Sequence, residues 1–192
     1  MYIIISSKSA PLYHGTTWKN AVNIIESNEL RANISNETET YGVSFTRNMD
    51  SAYDQVSLVI DQERLSYNYK IDPVYRDGIS GLDLAEERVP RTIKNIRNYI
   101  LYLKFNNPVY LKYIRRIIVE HFDEDDLLEK ERFSNRKLNM VHSCYQVLQV
   151  AHKYNIEVDK LFKEVEAYID MYIDRKFDYE YKHILDIRKK VL

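Results

Sequence analysis

Cysteine occurs once in the 192 residues, at Cys144, and that scarcity closes off two kinds of chemistry. A single thiol makes neither an internal disulfide nor a cysteine-cluster metal centre, so Cys144 reads as a small apolar helix residue. Glycine is scarce too, at four against 17 tyrosines. With the abundant Asn, Lys and Ile, this bias suggests an AT-rich coding genome, such as that of a phage or a low-GC bacterium. An excess of either charge is also missing: 28 basic residues face 29 acidic ones. The global charge therefore marks neither a nucleic-acid footprint nor a membrane surface. No run approaches the roughly 20 apolar residues of a membrane span. Met1 to Ile5 is apolar but too short for a signal segment and lacks a basic start. The protein is expected to be cytoplasmic, in the host cell if phage-encoded, with no membrane partner. There is no internal repeat and no low-complexity tract.

What is present suits one domain, or one domain with a helical appendage. An apolar share of 45% is enough for a core. Strands are expected at 2–5, 12–16, 42–46, 56–61, 67–71, 86–89 and 99–105. Thr17 is placed to cap a helix from Trp18 that turns Ala21, Val22, Ile24 and Ile25 inward. Loops are expected at 31–40 and 74–84, with a short helix at 51–55, a helical bend at 61–65 and a turn of helix at 93–98. After Pro108 the period lengthens, and 109–122, 136–154, 157–177 and 180–191 read as helices. The third carries Val158, Leu161, Phe162, Val165, Tyr168, Ile169, Tyr172 and Ile173 as an apolar stripe. Asp123 to Asp126 reads as a solvated helix start, and no metal site is expected. The fold class is α+β, dividing near Asn106–Pro108 into a β-rich front, 1–106, and a helical subdomain, 107–192.

One stretch organises the front half. Leu12-Tyr13-His14-Gly15-Thr16 ends an apolar strand with a ring nitrogen, a side-chain-free backbone and a hydroxyl, which together suit a ligand's polar edge. Gly42-Val43-Ser44-Phe45-Thr46-Arg47 follows, and then Ala85-Glu86-Glu87-Arg88-Val89. These three elements, in this order, resemble the ADP-ribosyltransferase superfamily in its His-containing branch. That branch includes poly(ADP-ribose) polymerases, diphtheria-type toxins and DNA-modifying ADP-ribosyltransferase toxins. The resemblance extends to Phe105 and implies a split β-sandwich around an NAD cleft.

It also implies roles. His14 would hold a ribose hydroxyl, and the Gly15 backbone would pin the nicotinamide carboxamide. Thr16 is either a ligand hydroxyl or part of the helix-cap turn. Ser44 stands where the polymerase branch has a tyrosine that stacks on nicotinamide, and Ser44-Phe45-Thr46 is similar to the serine-centred strand of the arginine-type toxins. The missing ring is expected from Phe45, Tyr53 or Tyr41, with Tyr53 preferred because it lies on the following helical turn. Arg47 would clamp the diphosphate or steer the acceptor. Breaking the nicotinamide glycosidic bond develops positive charge on the ribose, which a fixed carboxylate stabilises. Glu86 fits the Ala-Glu-x-x-Val arrangement of the DNA-modifying branch, with Glu87 the other candidate. Alternation allows only one of the two into a cleft.

The activity implied is mono-ADP-ribosyl transfer from NAD to a protein or nucleic-acid acceptor, by a phage or bacterial effector or toxin. Two rivals stand beside it. An RNA 2′-phosphotransferase shares a His-Gly-Thr strand but needs several basic residues around its phosphate. An inactive module would bind a nucleotide, or a partner through residues 158–173.

Overall fold

The computed structural model describes residues 10–34, 41–47, 55–74, 86–106, 112, 114, 142–167 and 169–170, with the backbone alone for Val74 and Glu86. β1 (Leu12–Thr16) leads directly into α1 (Trp18–Ser27). Thr17 holds an extended backbone and its Oγ1 accepts the Asn20 amide at 3.2 Å, which starts the helix. Trp18, Ala21 and Ile25, at helical spacing, form its buried stripe. The helix ends at Asn28, whose left-handed backbone (φ 57°) lets its amide return to the carbonyls of Ile24 and Ile25.

The remaining strands are β2 (Glu29–Leu30), β3 (Asn33–Ile34), β4 (Tyr41–Thr46), β5 (Val56–Ile60), β6 (Asp72–Val74), β7 (Glu86–Val89), β8 (Ile93–Lys94), β9 (Ile100–Phe105) and β10 (Glu157–Val158). A short helix, α2 (Gln62–Ser66), follows β5 and is capped by Asp61. The architecture is α+β. One sheet runs in the order β10-β9-β5-β1-β4-β7-β6, with β3 pairing β4 beside that path, and β2 pairs β8 separately. Every pairing is antiparallel except β10 with β9. β5 is buried at all five positions, Ser57 included, as a strand covered on both faces requires.

Residues from far along the chain complete this core. Phe105 meets Trp18 at 6.1 Å between ring centroids and Phe162 at 5.1 Å, edge to face. Cys144, Val147, Leu148 and Ala151, from helical residues 142–153, are buried in the same cluster as the sheet. Asp159 ties the two regions together. Its carboxylate accepts the amides of Phe105 and Phe162 at 3.1 and 2.9 Å, and its own amide donates to Leu103 O. Described residues on both sides of the expected 106/107 division thus share one core.

Several local expectations are corrected. Residues 157–158 are not helical: they add β10 to the sheet edge, and the helix begins at Lys160. Phe162, Val165 and Ile169, expected as a partner-binding stripe, are buried in the chain's own core. Residues 67–71 form a turn, because the amides of Asn68 and Tyr69 return to Leu65 O. The strand comes later, at β6, where Pro73 is tolerated because β6 is an edge. Asn33–Ile34 pairs with β4 inside the expected loop, and 93–98 divides into β8 and a 3₁₀ turn, Ile96–Asn98. The expected strand at 2–5, the loop at 74–84 apart from Val74, which closes β6, the helix at 180–191 and the partner residues Tyr168, Tyr172 and Ile173 lie outside the described residues. No helix among the described residues is long and apolar enough to cross a membrane.

Candidate functional site

β1 pairs with β5 along its whole length, from Leu12 opposite Ile60 to Thr16 opposite Val56. With β4 it has one register pair, Tyr13 opposite Thr46. The start of β4 belongs to β3 instead, through Asn33 opposite Gly42 and Ile34 opposite Tyr41. β4 therefore changes neighbour partway along, while β1 leaves the sheet into α1. A cleft of about 580 Å³ adjoins this change, lined by His14 and Thr16 from β1, Asn20 and Asn23 from α1, Arg31, and Asn33 from β3.

His14 is fixed at the wedge. Its Nδ1 lies 2.9 Å from the main-chain oxygen of Ser44. A carbonyl only accepts, so Nδ1 carries a proton. The ring meets Phe45 edge to face at 5.9 Å and 64°, so the two share a face of the sheet. Thr16 lines the cleft, and capping of α1 falls to Thr17.

The register of the next strand sets the two glutamates on opposite faces of the sheet. Phe45 lies opposite Glu87, and Thr46 opposite Glu86. Directly paired residues share a face, so His14, Phe45 and Glu87 form one row across β1, β4 and β7. Two strand spacings separate the ends of that row by roughly 10 Å. Ser44 alternates to the other face, where its Oγ accepts from Arg88 at 2.9 Å. Gly15 alternates likewise, opposite Ser57.

Arg47 is engaged within the protein. Its Nε donates to Glu87 Oε1 at 2.7 Å and its NH1 to Gln62 Oε1 at 2.9 Å. The Glu87 side chain is 9% exposed and that of Arg47 24%, so this charge-assisted pair is shielded from water. Two of the guanidinium nitrogens, Nε and NH1, are thus engaged within the protein. Gln62 escaped the sequence reading. Its signal was local: Asp61 caps α2, which puts Gln62 at the first helical position, turned inward and buried.

Two carboxylates also line the cleft, Glu26 and Glu29. Glu26 accepts from Lys153 at 3.0 and 3.2 Å and from the Tyr154 hydroxyl at 3.1 Å. The Lys153 bond, followed by that from Tyr154, holds its carboxyl below the ordinary range. Glu29 is held down in the same way by its bond from Lys94.

Of the three aromatic candidates, Phe45 is buried at 2% exposure and belongs to the core. Tyr41 is exposed on β4 opposite Ile34. Tyr53 lies outside the described residues. Among the described residues there is no grouping of three His, Cys, Asp or Glu suited to a metal ion. Comparison of the chain with protein-family models and with curated proteins found no match.

Proposed function

We propose that the protein is a mono-ADP-ribosyltransferase that binds NAD in the cleft beside His14-Gly15-Thr16 and transfers ADP-ribose to a macromolecular acceptor. One observation carries the reading: His14, locked by its bond to Ser44 O, lines a cleft of mixed polar and apolar residues, and its row on the sheet ends at Glu87, outside that lining. His14 Nε2 accepts a ribose hydroxyl. An acid from the Glu86–Glu87 pair faces the ribose as the bond from C1′ to nicotinamide breaks, and nicotinamide departs with the bonding electrons. The acceptor's nucleophile then bonds to C1′ and gives up its proton. The carboxylate lowers the barrier by opposing the positive charge that develops on the ribose.

The test is incubation with NAD labelled in its adenylate portion, together with bacterial lysate. Nicotinamide release and label in protein or nucleic acid are expected, and His14→Ala should reduce both. Saturating NAD with neither product would end the reading. If the chain is an effector, its expression should arrest growth, and the arrest should disappear with the double variant Glu86→Gln/Glu87→Gln.

A second reading has one observation in its favour. Ser44 has no ring, Phe45 is buried, and the exposed Tyr41 does not line the cleft, so none of the described candidates supplies a ring for nicotinamide there. That favours a module which binds a nucleotide without turnover, and calorimetry showing NAD binding without nicotinamide release would select it. The phosphotransferase reading is the weaker one. Among the described cleft residues Arg31 is the one Lys or Arg, and it stands beside Glu26 and Glu29, a poor setting for a phosphate.

A further inference from the structure

Two adjacent glutamates stand on β7, and the protein holds the carboxylate of Glu87. Glu87 lies opposite Phe45, in the row that begins at His14. Its side chain is 9% exposed. Oε1 accepts from Arg47 Nε at 2.7 Å, and among the described residues no protein group bonds Oε2. A shielded carboxylate with one oxygen pinned and the other unbonded is oriented before any ligand arrives.

The grip extends one residue further. Arg47 swings freely unless its other end is held, and Gln62 Oε1 accepts from NH1 at 2.9 Å. Gln62 is itself buried at the first turn of α2, whose start Asp61 fixes by accepting the Arg64 amide at 3.0 Å. A neutral amide suits that place. A carboxylate there would compete with Glu87 for the single guanidinium charge, whereas an amide oxygen orients Arg47 and leaves its charge to Glu87.

We infer that Gln62 and Arg47 form a two-residue relay that positions Glu87, rather than Glu86, as the acid of the His14 face. Glu87 Oε2 accepts the hydroxyl of the nicotinamide ribose, so Glu87 is the catalytic residue. Arg47 and Gln62 act through it as positioning residues. The assignment rests on the transferase reading proposed above, and it names a residue of α2, remote in sequence from all three motifs, as a determinant of rate.

The experiment compares the full-length wild type with Glu87→Gln, Glu86→Gln, Gln62→Met and the double variant Glu87→Gln/Gln62→Met. It measures kcat and KM for nicotinamide release, with the thermal midpoint followed by fluorescence of the single tryptophan, Trp18. Glu87→Gln keeps an oxygen for Arg47 and is expected to lower kcat by about 100-fold or more with little change in KM, well beyond the loss at Glu86→Gln. Gln62→Met is expected to lower kcat about tenfold at constant KM. In the Glu87→Gln background the same change should cost less than about twofold, because the relay then has nothing left to position. A structural role for Gln62 would give equal losses in both backgrounds and overturn the relay. An equal or larger loss at Glu86→Gln overturns the assignment of the acid while leaving the transferase reading intact. A wild type that neither releases nicotinamide nor transfers label sinks the reading, and the relay with it. If Glu87→Gln does not fold, Gln62→Met decides: an unchanged kcat overturns the proposal.

Discussion

His14 Nδ1 sits 2.9 Å from the carbonyl oxygen of Ser44, thirty residues on, at the place where β1 and β4 part company. This side-chain bond links two strands whose backbones share one register pair, and it orients the imidazole toward the cleft. Replacing His14 by alanine is expected to cost about 1 kcal/mol of stability for the lost hydrogen bond. The loss in NAD affinity should be larger, at least about tenfold, the order expected for one lost hydrogen bond to a ligand. Urea unfolding and calorimetry on the same preparation separate the two effects. An affinity equal to wild type would remove His14 from the site.

Gly42 is required by its neighbour across the sheet. A Cβ added there would lie 2.6 Å from Arg88 Cγ and 2.8 Å from the main-chain oxygen of Val89. The arginine stem can turn aside, but the carbonyl belongs to β7 and moves only if the strands separate. Gly42→Ala is therefore expected to destabilise the fold by about 2 kcal/mol. Because β7 carries Glu87, nicotinamide release should fall as well. A thermal midpoint within a degree of wild type would show that the β4–β7 pair yields.

The cleft wall has a pH-sensitive anchor. Glu26 is held below its ordinary pKa of 4.5, chiefly by the bond from Lys153. A carboxyl whose folded pKa is depressed contributes stability above its unfolded pKa and loses it as the pH falls through the folded value. The stability gap between wild type and Glu26→Gln, present at neutral pH, should narrow below pH 4.5 and close at the acid end. Chemical denaturation across that range reads the gap directly, and a gap independent of pH would mean that the Lys153 contact contributes nothing.

Cys144 should be chemically silent in the native protein. It is fully buried, and desolvation pushes its thiol far above the ordinary range, so almost no thiolate forms near neutrality. Iodoacetamide is expected to leave the folded chain unlabelled at pH 8 and to add one equivalent after denaturation. Rapid labelling of the native protein would contradict the packing of the 142–153 helix against the sheet.

The elements that were legible in the amino-acid order are those whose causes are local. Thr17 announces α1 because a hydroxyl next to an amphipathic run satisfies an orphan amide. β5 is visible as an apolar run interrupted only by Ser57, and β1 as an apolar entry into a helix cap. Where reading failed, a distant partner had won. Tyr67, Tyr69 and Ile71 alternate like a strand, but the Asn68 and Tyr69 amides are taken by Leu65 O. The Tyr69 ring then packs edge to face on Tyr99 at 6.0 Å, and its hydroxyl accepts the Lys94 amide at 2.8 Å. Residues 157–158 continue a helical stripe in sequence, yet β9 offers Tyr102 and Leu103 an open edge that captures them as β10.

By itself the order of residues determined that His14, Gly15 and Thr16 end a strand, that Thr17 opens a helix, and that one of two adjacent glutamates on a later strand would be turned away from a common face. Those outcomes follow from backbone periodicity and capping, which act over a few residues. Which glutamate shares His14's face was decided by the register of β4 against β7, since a slip of one residue exchanges Glu86 for Glu87. The engagement of Arg47 by Gln62 belongs to the same class. It required α2 to fold beside β4 and bring a buried amide within 2.9 Å of a guanidinium fifteen positions earlier, a proximity that only the packed sheet creates.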